Sequence, residues 1–146
     1  MATGAVFSPD VIVRANDRPD VRLAIEVKVG QVDLSEAARQ LRAYMSAVAC
    51  PLGLLVTPRE THVYQETWSD GPDSIRELAV VETPVLIGTR GLSEDERELE
   101  GAVRQWLETM VRHPGVPQHH AGDMARLEDH LLPAMVDAEV TVTGLR

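Results

Sequence analysis

Asp10, Glu26 and Lys28 are the residues whose types and spacing suit a reaction. Hydrolysis of a phosphodiester is helped by a divalent cation that polarises the phosphate and lowers the pKa of an attacking water, and carboxylate oxygens are the hard ligands that Mg²⁺ prefers. Glu26 and Lys28 stand two apart in an alternating apolar run. In a strand they project to one face, so the ammonium can reach the phosphate or water that such a cation holds. Lys28 is also the single lysine of the chain, the other thirteen basic residues being arginine.

These residues need a scaffold that brings Asp10 to Glu26. Val11-Ile12-Val13 reads as a short strand, and Val21 to Val29 as a second, alternating at Val21, Leu23, Ile25, Val27 and Val29. Ala15 to Asp20 is turn material, so the two strands are expected to form a hairpin with its tip near Asp17 and Arg18. Paired residue numbers then sum to about 35 or 36, which sets Asp10 opposite Ile25 or Glu26. Asp20 is a rival acid that also follows a proline. It lies on the same strand as Glu26 but roughly 20 Å away, at about 3.3 Å per residue, too far to share an ion.

After the hairpin, Asp33 and Glu36 are spaced as a capping box opening a helix that runs to about Val48, with an apolar stripe at Leu34, Ala38, Leu41, Met45 and Val48. Pro51 ends it. Leu52 to Thr57 is expected as a buried strand, with Thr61 to Tyr64 as its hairpin partner. Trp68 to Ser74 reads as a polar loop, and residues 75–88 fit either a strand before Pro84 or a short helix, the strand being favoured. Ser93 and Glu96 suggest a second capping box, opening a helix with Leu99, Val103, Trp106, Leu107 and Met110 on one side as far as Pro114. A connector, Pro114 to Gly122, leads to a short helix near Met124–Leu132 and a β-like Val140-Thr141-Val142.

Pro9-Asp10, then Glu26-Val27-Lys28 after a hairpin and followed by a helix, resembles the signature of the PD-(D/E)XK nuclease superfamily. Gln40-Leu41-Arg42-Ala43-Tyr44 is similar to the Gln-x-x-x-Tyr pattern of its RecB-like branch, and that spacing puts Gln40 and Tyr44 on one helix face, where they could contact DNA or brace the site. The likeness spans about residues 6–66. It implies an α/β restriction-endonuclease-like fold, a mixed central sheet flanked by helices, with residues 1–90 as the nuclease-like core and residues 91–146 as a helical C-terminal extension packed on it in a single domain. It further implies a Mg²⁺ or Mn²⁺ cofactor held by Asp10, Glu26 and the Val27 carbonyl, catalysis by Asp10, Glu26 and Lys28, and DNA as substrate. The family usually has an acidic residue on a helix before the Asp strand, but none of the eight residues before Pro9 is acidic, so that element is missing, truncated away or supplied from elsewhere. That departure keeps open a catalytically degraded module of the same fold, binding a protein partner or nucleic acid in a larger defence or repair assembly.

Composition frames these readings. At 146 residues the chain is one ordinary domain. The net charge is −9, but residues 1–60 carry seven basic against seven acidic residues and residues 61–146 seven against sixteen, so the candidate site lies in the neutral part. Cys50 is the lone cysteine and is expected to be a small buried core residue. No secretory leader and no membrane-length apolar run is read, and a cytoplasmic location is expected. His113, His119, His120 and His130 lack cysteine partners and the spacing of a zinc site. Arg14, Arg18, Arg22, Arg39 and Arg42 are candidate phosphate contacts. The Trp106 stripe suits core or a homodimer contact, and in the blandest reading Glu26 and Lys28 are a solvated ion pair on a surface hairpin.

Overall fold

The computed structural model describes residues 7–30, 32–69, 74–117, 119 and 122–143. Strands β1 (Val11–Ala15) and β2 (Val21–Val27) form the expected hairpin, with Val11 opposite Ile25 and Arg14 opposite Val21 across a bulge after Val13. The paired numbers sum to 36 before the bulge and 35 after it, as the turn position requires. β2 ends at Val27, two residues earlier than its alternation suggests. Helix α1 (Leu34–Val48) crosses to β3 (Leu52–Val56), which lies parallel to β2. β4 (Glu60–Glu66) and β5 (Ile75–Glu82) continue antiparallel, so the ambiguous stretch after residue 75 is a strand. Pro84 does not interrupt it but begins a short helix, α2 (Thr83–Ile87), where a residue without an N–H fits the first turn.

Helices α3 (Glu96–Arg112) and α4 (Gly122–Leu131) follow, then a 3₁₀ turn at Leu132–Met135 and a last strand, β6 (Ala138–Val142). Among the described residues the outcome is an α/β protein with a six-stranded mixed open sheet, ordered β5-β4-β3-β2-β1-β6, and four helices. The C-terminal segment is therefore not only helical: β6 pairs antiparallel along β1 from Val11–Val142 to Ala15–Ala138 and forms one edge of the sheet.

Alternation along the strands divides the core into two layers. Val11, Val13, Leu23, Ile25, Leu54 and Val63 face α3 and α4, and the stripe of Leu99, Val103, Trp106, Leu107 and Met110 is spent on this layer as core. Ile12, Ala24 and Leu55 face α1 through Ala37, Ala38, Leu41 and Met45, with Cys50 fully buried among them. Burial pushes the Cys50 thiol up to about 11, which leaves it an inert packing group. Even-numbered positions of β1 and β2 look toward α1, so the same alternation carries Asp10 and Glu26 to the α1 side of the sheet.

The caps differ in detail from the sequence expectation. The Asp33 side chain accepts from the Glu36 N–H at 3.2 Å, but the Glu36 carboxylate turns away to pair with Arg39 instead of reaching back. Asp95, not Ser93, caps α3, accepting from the Arg97 and Glu98 N–H groups, while the Ser93 hydroxyl accepts from the Asp95 N–H. An ionised carboxylate next to the positive end of the helix is the stronger of the two caps.

Candidate active site

The hairpin register brings Asp10, immediately before β1, alongside the C-terminal end of β2. Its carboxylate accepts from the Val27 N–H at 2.8 Å, and its own carbonyl accepts from the Thr143 N–H at 3.0 Å just beyond β6. The Thr143 hydroxyl donates to the Pro9 carbonyl. Asp10 is thus fixed from both sides and is 4 % exposed.

Glu26 is 5 % exposed and close enough to Asp10 for that carboxylate's charge to oppose its ionisation. Lys28 Nζ stands 3.2 Å from Glu26 Oε2. Glu26 Oε1 is buried and meets no hydrogen-bond donor among the described residues. Burial first, and then the Asp10 charge, push the Glu26 carboxyl up to about 7, although Lys28 opposes the rise. Among the described residues Lys28 pairs with Glu26 through Oε2 and leaves Oε1 without a donor, a position that a proton below about pH 7, or a cation, would satisfy.

The Val27 carbonyl completes the oxygen set. The Lys28 N–H donates to the Val56 carbonyl at 2.9 Å, toward β3. In a trans peptide the carbonyl points opposite to the following N–H, so the Val27 oxygen faces the Asp10 side. Asp10, Glu26 and this carbonyl offer hard oxygen donors of the kind Mg²⁺ or Mn²⁺ takes. Among the described residues no group of three or more His, Cys, Asp or Glu side chains could hold a metal ion. Two carboxylates suffice for Mg²⁺, which usually keeps several waters.

Gln40 and Tyr44 are half-buried one turn apart on α1. Tyr44 meets the Phe7 ring edge-on with centroids 6.2 Å apart, and burial raises its hydroxyl above the usual tyrosine range. Among the described residues neither side chain is hydrogen-bonded to Asp10, Glu26 or Lys28. Four of the five arginines proposed for phosphate contact have other partners. Arg18 pairs with Asp20 and Arg39 with Glu36, Arg22 donates to the Ala134 and Val136 carbonyls, and Arg42 lies 5.6 Å over the Tyr64 ring. Arg14 has its Nε buried without a hydrogen-bond partner among the described residues. His119 is held by Glu128 and the Val85 carbonyl and His130 lies 3.4 Å from Gln65, while His120 is outside the described residues.

A cavity of about 420 Å³ opens beside Lys28, where the β2–α1 connection, the β3–β4 turn and the loop before α3 meet. Its lining includes Arg59 and Glu94, which no local motif singles out because three separate loops converge there only in the fold. The cavity lies at the C-terminal end of the parallel pair β2 and β3, where open α/β sheets commonly bind ligands. Among the described residues no helix is long and apolar enough to cross a membrane. Comparison of the chain with protein-family models, curated proteins and solved structures finds no match.

Proposed function

We propose that the chain is a Mg²⁺- or Mn²⁺-dependent nuclease of the PD-(D/E)XK type, hydrolysing DNA phosphodiesters at Asp10, Glu26 and Lys28. The observation that carries this reading is the pair of buried acids, Asp10 and Glu26, with an unsatisfied Glu26 oxygen and the chain's only lysine 3.2 Å from the other. A structural ion pair needs neither the second acid nor the orphaned oxygen, and burying both at a strand end costs stability. Topology agrees with a restriction-endonuclease-like core: an antiparallel hairpin bearing the acids, a helix, and a strand parallel to the Glu26 strand.

Asp10, Glu26 and the Val27 carbonyl would hold the cation. When bound, it would polarise a phosphate oxygen and make water acidic enough to be deprotonated near neutral pH. Asp10 keeps its orientation through the Val27 N–H, and α1 with the sheet shields the acids from bulk water. Lys28, with its side chain 30 % exposed, lies at the edge of the cavity and places an ammonium where negative charge grows on the phosphoryl oxygens.

A second reading is a catalytically degraded module of the same fold, kept to bind a protein partner or nucleic acid in a larger defence or repair complex. It is favoured by the two-acid site and by the acidic second half of the chain. A homodimer built on the Trp106 stripe is not needed, since that stripe is covered by the protein's own sheet. The test between the two is cleavage of linear DNA in Mg²⁺ and Mn²⁺ by wild type, Asp10→Ala and Lys28→Ala, with folding checked by circular dichroism. The nuclease reading expects wild-type cleavage and a loss of about 10²-fold or more in Lys28→Ala. Equal, trace activity in all three would favour the binding module.

A further inference from the structure

The cavity beside Lys28 has its own chemistry. Among the described residues its wall is apolar at Val29, Val32, Leu34 and Pro58, and Lys28 and Arg59 are its two cations. The Arg59 guanidinium has no ion-pair partner among the described residues, whereas Lys28 is already engaged by Glu26. The turn that carries Arg59 is preset. The Thr57 hydroxyl oxygen accepts from the Arg59 and Glu60 N–H groups at 3.3 and 3.1 Å, and the Arg59 carbonyl accepts from the Thr83 N–H at 3.2 Å. Glu60, which pairs with His62 at 3.2 Å, and Glu94 also line the cavity, and both are exposed.

We propose that this cavity is a subsite for one terminal nucleotide, which makes the protein act on strand ends; the inference rests on the nuclease reading of the adjoining acids. The volume, about 420 Å³, lies near the small end of the range of about 300–1,000 Å³ typical of small-molecule sites, and suits a single nucleotide. A phosphate meets Arg59 and Lys28, and a base lies on Val32, Leu34 and Pro58. A strand continuing outward would bring further phosphates against Glu60 and Glu94, so a chain end is accommodated and an internal segment is repelled. The whole-molecule charge of −9 acts in the same direction, because a long duplex presents about one phosphate per 1.7 Å of axis.

The test has a binding arm and a cleavage arm. Thymidine monophosphate, thymidine and inorganic phosphate are titrated by calorimetry, with Mg²⁺ present, into wild type, Arg59→Ala and Val32→Trp. The subsite predicts one-to-one binding of the nucleotide, tighter than thymidine or phosphate, weakened about tenfold in Arg59→Ala and blocked in Val32→Trp. Absence of nucleotide binding to wild type, or equal binding by all three proteins, overturns it. In the cleavage arm, linear and circular single strands of one sequence are compared. Linear DNA shortened from its ends while the circle stays intact supports the inference. A circle cut at the linear rate overturns end selection while leaving the nuclease reading in place, and that reading is tested separately by metal binding to the Glu26 site.

Discussion

Placing Glu26 beside Asp10 makes its ionisation unfavourable to folding. The folded protein holds the Glu26 proton up to about pH 7, against an ordinary value of 4.5, because burial and Asp10 oppose its charge. Between those values the folded state binds more protons than the unfolded chain. Stability therefore falls as pH rises from about 4.5 to 7, by at most about 3 kcal/mol at 1.36 kcal/mol per pH unit. Chemical denaturation across this window should show that slope in metal-free wild type. Glu26→Gln should flatten it and be the more stable protein at pH 8. A steeper slope in Glu26→Gln would contradict the assignment. Such a gain on removing a charge marks a group retained for function at a cost to stability. At this scale much was legible in the sequence: the residue types, the two-residue spacing of Glu26 and Lys28, and the hairpin sum that set Asp10 beside them. The Val27 N–H as the brace for Asp10 was not, because backbone bonds at the end of a strand depend on which neighbour is missing there.

Among the elements, the docking of α1 on β3 governs how well the acids are covered. A Cβ at Gly53 would come within 2.5 Å of the Met45 sulfur and 3.4 Å of Leu41, so the helix lies close to the strand because this position is glycine. Gly53→Ala should destabilise by about 1–3 kcal/mol, and Met45→Ala in the same chain should recover part of the loss, measured as a double-mutant cycle. Strict additivity would mean that the two positions do not limit each other. Elements with a clear period were legible: both strands of the hairpin, α1 and the α3 stripe form where alternation or helical spacing puts them, although β2 stops at Val27 and Val48, at the end of the α1 stripe, is exposed. The start of α3 was less so: Ser93 reads as its cap from the spacing to Glu96, and the backbone turn makes Asp95 the N-cap two residues later. The stretch 75–82 carries apolar residues compatible with either period, and pairing with β4 decided it.

Across the whole molecule, the C-terminal strand is tied to the candidate site. β6 covers the outer side of β1 along its full length, and Thr143 beyond it bonds to the Asp10 and Pro9 backbone. Val140-Thr141-Val142 is recognisable as a strand from its residues, but which sheet edge receives it is a contact across about the whole chain that no local pattern encodes. Removal of residues 138–146 should therefore lower the denaturation midpoint and weaken divalent-cation binding together, by leaving β1 as an exposed edge and freeing the Asp10 backbone. Weakened stability with unchanged cation affinity would show that β6 serves the fold alone. The acidic surface adds that any DNA binding should be weak and should fall as salt rises, with a shallow slope reflecting few phosphate contacts. The most direct measurement is calorimetric titration of Mg²⁺ and Mn²⁺ into wild type and Glu26→Ala at pH 6 and pH 8. The account predicts one cation per chain in wild type, tighter at pH 8 because the Glu26 proton no longer competes, and no specific binding in Glu26→Ala. Equal binding by the two proteins, or none by either, would contradict a metal-dependent site at Asp10 and Glu26.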